Sequence, residues 1–315
     1  MCHLPDPSSK LNSTTLNLVQ KRPVSSLAPN PDFDPALKQE GVTCAGCHLR
    51  EGRILGPRGS PNAPHPVEKF SDANALCMRC HVVQGERWDT FYRLPPCGTI
   101  AEIEVGQGRL KGRSGEYLVR SPAAAGCVQC HMPALERPLV EGGSARLVRR
   151  HTWRGGHDPQ MVRSALTASF SDSIASGGGR IAALVLENTG AAHFLPTGTP
   201  DRHLTVRLRA LDAGGRVLRE TTDTLERTIL WRPFIVDLWD TRLAWGERRR
   251  YTLDVPARAA TIEAQVRYHL LAESRRKRIG YEPTAPISYV VFDQRRDIGL
   301  GTAGGSQSGP GGPKR

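Results

Sequence analysis

Three pentapeptides in this chain carry residue types at a spacing that could do chemistry: Cys44-Ala-Gly-Cys47-His48, Cys77-Met-Arg-Cys80-His81 and Cys127-Val-Gln-Cys130-His131. Two thiols separated by two residues lie on one helical turn and reach the two vinyl groups of a porphyrin. The imidazole that follows then faces the iron. Paired CxxC motifs can also hold zinc, and a single CxxC can act as a redox dithiol. Neither alternative accounts for a histidine after every second cysteine. The expectation is therefore haem c at three complete sites, anchored by the six cysteines, with His48, His81 and His131 as proximal iron ligands.

The sixth ligand of each iron separates an electron wire from an enzyme. Met78 lies inside a motif and Met132 abuts His131, which leaves Met161 as the one plausible thioether, so histidine on both sides is the default. His65 sits in the proline-rigid APHPVE loop. His151 and His157 lie six residues apart in RRHTWRGGHDP. Asp158 is a good N-cap and Pro159 a good first helical residue, and the helix they start should place Val162, Leu166 and Phe170 on one face. Gly155 and Gly156 would let a porphyrin approach closely. His193 falls in a loop between two strand patterns. His65, His151, His157 and His193 are the distal candidates, each with a solvated loop histidine as the alternative. His203 and His269 alternate with polar residues on strand patterns and read as surface side chains.

All eight cysteines lie within residues 1–130. Cys2 and His3 follow Met1 directly and read as the tail of a fourth, truncated motif, with a chance Cys-His pair as the alternative. Cys97, in LPPCGT, belongs to no motif and reads as a buried or free thiol. A disulfide with Cys2 stands open beside that reading.

GVTCAGCH (41–48) and CVQCHMP (127–133) resemble segments of bacterial multihaem c-type cytochromes, the tetrahaem, pentahaem and octahaem respiratory proteins. The resemblance covers roughly residues 40–160; it is specific for haem attachment and weak for any one reaction. The His65 loop resembles a distal-ligand loop of such proteins, and His193-Phe-Leu-Pro-Thr-Gly198 resembles a segment of cytochromes with an appended sandwich. No CxxCK, the lysine-ligated variant of related nitrite reductases, occurs here. Covalent haem in this family implies export, so a periplasmic or extracellular location is expected. The chain shows no charged and apolar leader, and the expectation is a start lost by truncation.

These residues need elements to hold them. The 315 residues suggest about two domains. Residues 1–130 contain 27 Leu, Ile, Val and Phe, and prolines break every apolar run. That is little to offset roughly 1–2 kcal/mol of backbone entropy per residue. The expected fold class is an N-terminal multihaem module of mostly loops and short helices around haems, followed by an all-β immunoglobulin-like sandwich. The expected divisions are an extended segment at 1–40, the cytochrome domain at 41–172, the sandwich at 175–293 and a disordered Gly-rich tail at 294–315. The sandwich rests on IAALVLEN (181–188), the hairpin pattern HLTVRLRALDAGGRVLRE (203–220) and the runs TLERTILW, RRYTLDV and TIEAQVRYHLL. The basic runs 248–250 and 275–278 are expected in its turns.

Lys and Arg number 43 against 31 Asp and Glu, a net charge of +12. Aromatic residues are too sparse for a nucleic-acid surface, and no run of about 18 apolar residues exists to span a membrane. Haem propionates would cancel part of the positive charge; the remainder favours an acidic redox partner or a small anion. Three functions compete. The first is electron transfer through closely packed, mainly bis-histidine haems in a respiratory chain. The second is oxidation or reduction of nitrite, hydroxylamine or a sulfur oxyanion at an open haem, for which no catalytic residue can be named. The third is an electron-transfer subunit docked to a larger complex through the sandwich.

Overall fold

The fold was determined as a computed structural model that describes residues 42–57, 59, 62–81, 98–106, 126–230 and 236–298. Cys2, His3 and Cys97 lie outside the described residues, as does the Gly-rich stretch after residue 298.

Each CxxCH motif closes a short helix. The first, α1 (Cys44–His48), leads directly into β1 (Leu49–Arg50) and β2 (Arg53–Gly56). Those two strands pair antiparallel through a two-residue turn in which Glu51 and Gly52 both have positive φ, at 47° and 76°. Such turns match the natural twist of paired strands. β3 (Val67–Lys69) joins β2 in parallel. The second motif ends α2 (Asn74–His81), and α3 (Thr99–Gly106) follows. The third motif forms α4 (Cys127–His131), after which β4 (Ala134–Arg137) and β5 (Arg146–Arg149) make a hairpin.

Strands dominate the described residues and fall into five sheets. The expected N-terminal module of mostly loops and short helices is therefore corrected: its connecting segments form the β1–β2–β3 and β4–β5 sheets. A poverty of apolar side chains does not prevent pairing, because extended backbone must place its N–H and C=O groups somewhere and a neighbouring strand accepts them.

Asp158 caps α5 (Pro159–Ala165), accepting from the Gln160 and Met161 amides at 2.9 and 3.2 Å. The helix stops at Ala165, and β6 (Leu166–Ile174) begins at once. Val162, Leu166 and Phe170 thus do not share one helical face. From Leu166 the sequence LTASFSDSI alternates with period 2, and an apolar spacing of four fits either period. β6, β7 (Arg180–Asn188) and β12 (Arg248–Val255) form one sheet in the order β12–β7–β6. The facing sheet runs β14–β13–β8–β9, built from β8 (His203–Leu211), β9 (Val217–Leu225), β13 (Thr261–His269) and β14 (Ser288–Asp297). β14 runs past the expected boundary at residue 293. β10 (Arg227–Leu230) and β11 (Val236–Asp240) pair at the side.

The two larger sheets share one core. Leu184 and Leu186 of β7 meet Leu204, Val206 and Leu208 of β8, Leu253 of β12 and Ile262, Ala264 and Val266 of β13. At roughly 25 cal/mol per Å² of apolar surface, this layer is the main source of stability in the described chain. The outward row of β8 and β13 is a ladder of matched partners: Arg209 with Glu263 at 2.6 Å and Arg207 with Gln265 at 3.0 Å. The runs expected in turns lie in regular structure instead, Arg248–Arg250 in β12 and Arg275–Arg278 in α6 (Glu273–Arg278). Among the described residues no helix is long and apolar enough to cross a membrane.

Candidate functional site

The motif helices converge. Asn74, at the start of α2, accepts the Val128 amide of α4 at 3.0 Å, so the helix carrying the second motif caps the helix carrying the third. The contact requires Gly126, since a Cβ there would fall 2.7–2.9 Å from the Asn74 side-chain amide. The Cys77 thiol hydrogen-bonds Cys127. That bond lowers the Cys127 thiol to about 7, and burial opposes it.

Two motif histidines each meet a distal candidate. His131 and His193 have ring centroids 6.3 Å apart with planes 14° from parallel. His48 and His151 stand 6.1 Å apart at 38°. A metal–imidazole bond of about 2.0 Å on each side, with about 1.1 Å from ring nitrogen to ring centre, places two trans imidazoles about 6.2 Å apart. Both pairs lie at that separation.

The opposite nitrogens agree with it. Nδ1 of His48 contacts the Leu55 carbonyl at 2.7 Å, and Nδ1 of His131 the Arg154 carbonyl at 2.5 Å. Nδ1 of His151 contacts the Arg149 carbonyl at 2.8 Å, and Nδ1 of His193 the Phe194 carbonyl at 2.9 Å. A carbonyl only accepts, so each Nδ1 donates, which leaves each Nε2 as the nitrogen that could meet a metal. Two imidazoles so placed could together hold one haem iron. The donor set, the separation and the tautomers therefore fit haem.

The other histidines stand differently. His81 ends α2 at an exposed position. Packing around its ring lowers its pKa, with the charges of His131 and Arg202 adding to the effect. His157 is exposed immediately before the Asp158 cap. His65 is exposed in the turn before β3. The small size of Gly156 serves protein packing, because a Cβ would fall 2.8 Å from the Tyr268 hydroxyl and 3.1 Å from Arg202 Nη1. His203 and His269 occupy the outward row as expected but are half-buried. They stack at 4.2 Å and 5° across β8 and β13, and His269 Nε2 meets Thr205 Oγ1 at 3.1 Å.

Several contributing residues were missed by sequence reasoning. Glu102 and Arg242 form a buried ion pair at 2.5 Å beside the His193 loop, their side chains 1% and 3% exposed. An acid flanked by Ala101 and Ile103 in TIAEIEV was a weak signal for Glu102; none pointed to Arg242. Phe70 packs on His48 at 5.6 Å. Among the described residues no three or more His, Cys, Asp or Glu side chains gather into a metal-ion group.

Among solved structures, a penta-haem cytochrome c552 from Thermochromatium tepidum superposes with a TM-score of 0.64, covering 85% of this chain and 79% of its own at 22% identity. The chain shares its fold with that protein. A Bordetella pertussis protein designated ApaA covers 41% of this chain and 90% of its own, at 15% identity and a TM-score of 0.23, too low to bear on the fold. No protein-family model matches the chain, and no curated protein does.

Proposed function

We propose that this chain is a multihaem c-type cytochrome that carries electrons outside the cytoplasm. The observation that carries the reading is the pairing of His131 with His193 and of His48 with His151, each at the separation of two trans iron ligands. Cys44 and Cys47, Cys77 and Cys80, and Cys127 and Cys130 are the thioether anchors; His48, His81 and His131 are the proximal ligands. His151 serves the iron of His48, and His193 that of His131. His157 and His65 are the candidates left without an assigned iron. When bound, haem would supply a one-electron couple at this site.

What the chain does is hold rings still. Carbonyl partners on Nδ1 fix four imidazoles in one tautomer and orientation. The Asn74 cap and the Cys77–Cys127 contact keep the second and third attachment sites adjacent, which shortens the path between them. The fold shared with a penta-haem cytochrome supports the reading. Basic residues in excess suit an acidic redox partner.

The test is maturation of the full chain in a host that attaches haem c. Expected results are a mass increase equal to at least three haems, low-spin optical and EPR signals, and no spectral change on adding nitrite or hydroxylamine. A chain that takes up no haem overturns the proposal. A high-spin haem that shifts with nitrite replaces electron transfer with catalysis.

A further inference from the structure

We infer that Glu102 and Arg242 are positioning residues for His193, and that their buried charge sets the potential of the iron His193 would ligate. The inference rests on the proposed haem ligation. His193 lies in a loop between β7 and β8, far in sequence from His131.

The loop is gripped on both sides of the histidine. Before it, the Asn188 side chain accepts the Ala191 amide at 3.1 Å and donates to the His193 carbonyl at 2.9 Å. After it, Glu102 Oε2 accepts the Phe194 amide at 3.2 Å and the Thr197 hydroxyl at 2.6 Å. Glu102 Oε1 meets Arg242 Nη1 at 2.5 Å. Arg242 in turn binds Asp240 through two nitrogens at 2.9 and 2.8 Å, donates to the Pro196 carbonyl at 3.3 Å, and lies over the Phe194 ring at 5.0 Å. Thr99, from the helix that carries Glu102, meets Thr197 at 2.9 Å.

Glu102 therefore joins α3, from the cysteine-containing half, to a loop of the cysteine-free half. The carbonyl that fixes His193 Nδ1 belongs to Phe194, the residue whose amide Glu102 holds. One acid thus bears on the orientation of the ring through a single residue, Phe194. Charge follows from the same cluster. Glu102 brings a buried carboxylate within electrostatic reach of His193, countered in part by Arg242, while Asp240 stands opposite the buried Arg227 in the β10–β11 register. A negative charge in a low-dielectric site favours the ferric over the ferrous iron.

The experiment uses the full matured chain. Glu102→Gln keeps the shape and most hydrogen bonds, so the His131 haem should stay low-spin. Its reduction equilibrium should shift toward the ferrous state by about tenfold, or 59 mV for one electron. Glu102→Ala should release His193 and give one haem high-spin character, which added imidazole reverses. Glu263→Gln, which weakens a half-buried ladder pair on the sandwich, should alter neither. Unchanged potentials and spin state in Glu102→Gln and Glu102→Ala, in a wild type with low-spin haems, overturn this inference alone. A wild type without low-spin haem overturns the ligation itself. Should Glu102→Ala fail to mature, the potential of Glu102→Gln decides the matter.

Discussion

The stacked pair His203 and His269 makes the stability of the sandwich depend on pH in a window set by one ring. Burial, then the charges of His203 and Arg267, lowers His269 from 6.5 to about 4. Its neighbours are the His203 ring at 4.2 Å and the Thr205 hydroxyl at 3.1 Å, with the Asp201 carbonyl bonded to the far side of His203 at 3.0 Å. Above pH 6.5 the ring is neutral in both folded and unfolded chains, and the folded state keeps its full stability. Between 6.5 and 4 the unfolded chain takes up a proton that the native chain refuses, so stability falls as pH falls. A shift of about 2.5 units at about 1.36 kcal/mol each, discounted for partial exposure, gives about 2–3 kcal/mol. In melting temperature that is roughly 5–10 °C for a unit of this size. The assay is equilibrium urea unfolding of wild type and His269→Gln from pH 7 to pH 4. Glutamine cannot titrate but can still bond Thr205, so the wild type should lose about 2–3 kcal/mol relative to the variant across the window. Parallel pH profiles would refute the reasoning.

Three further outcomes follow from named contacts. In the haem-free chain Cys127 should react with iodoacetamide with a midpoint near pH 7, and Cys77→Ala should move that midpoint upward; a midpoint near pH 9 in both contradicts the thiol contact. Leu184→Ala empties a fully buried position in the shared core and should destabilise the chain by about 2–5 kcal/mol in urea unfolding. Arg242→Met leaves Glu102 buried without its counter-charge and should destabilise by about 3–5 kcal/mol, more than any exposed ion-pair deletion.

What the sequence made legible of the candidate site lies in local spacing. Each CxxCH stands on a helical turn, and the four proposed distal histidines include the two that meet a motif histidine. The pairing was not legible, because His48 with His151 and His131 with His193 depend on how remote segments fold back. The cysteine-free strands announced themselves through period-2 alternation and an Asp-Ala-Gly-Gly turn, in which Asp212 accepts from Gly214 and Arg216. In the expected cytochrome module at 41–172, β1 to β5 gave no such signal, since backbone pairing there needs little apolar surface. Phe170 moved from an expected helix face to a strand because both periods can place apolar residues four apart. Glu102 was hidden for another reason: its partners are 92 to 140 residues away.

The account stands most directly on EPR of the matured chain carrying His151→Ala, His193→Ala and both together. It predicts that each single variant turns one haem high-spin, a different haem in each, and that the double variant turns two. Spectra unchanged from wild type, or both variants affecting the same haem, would contradict it.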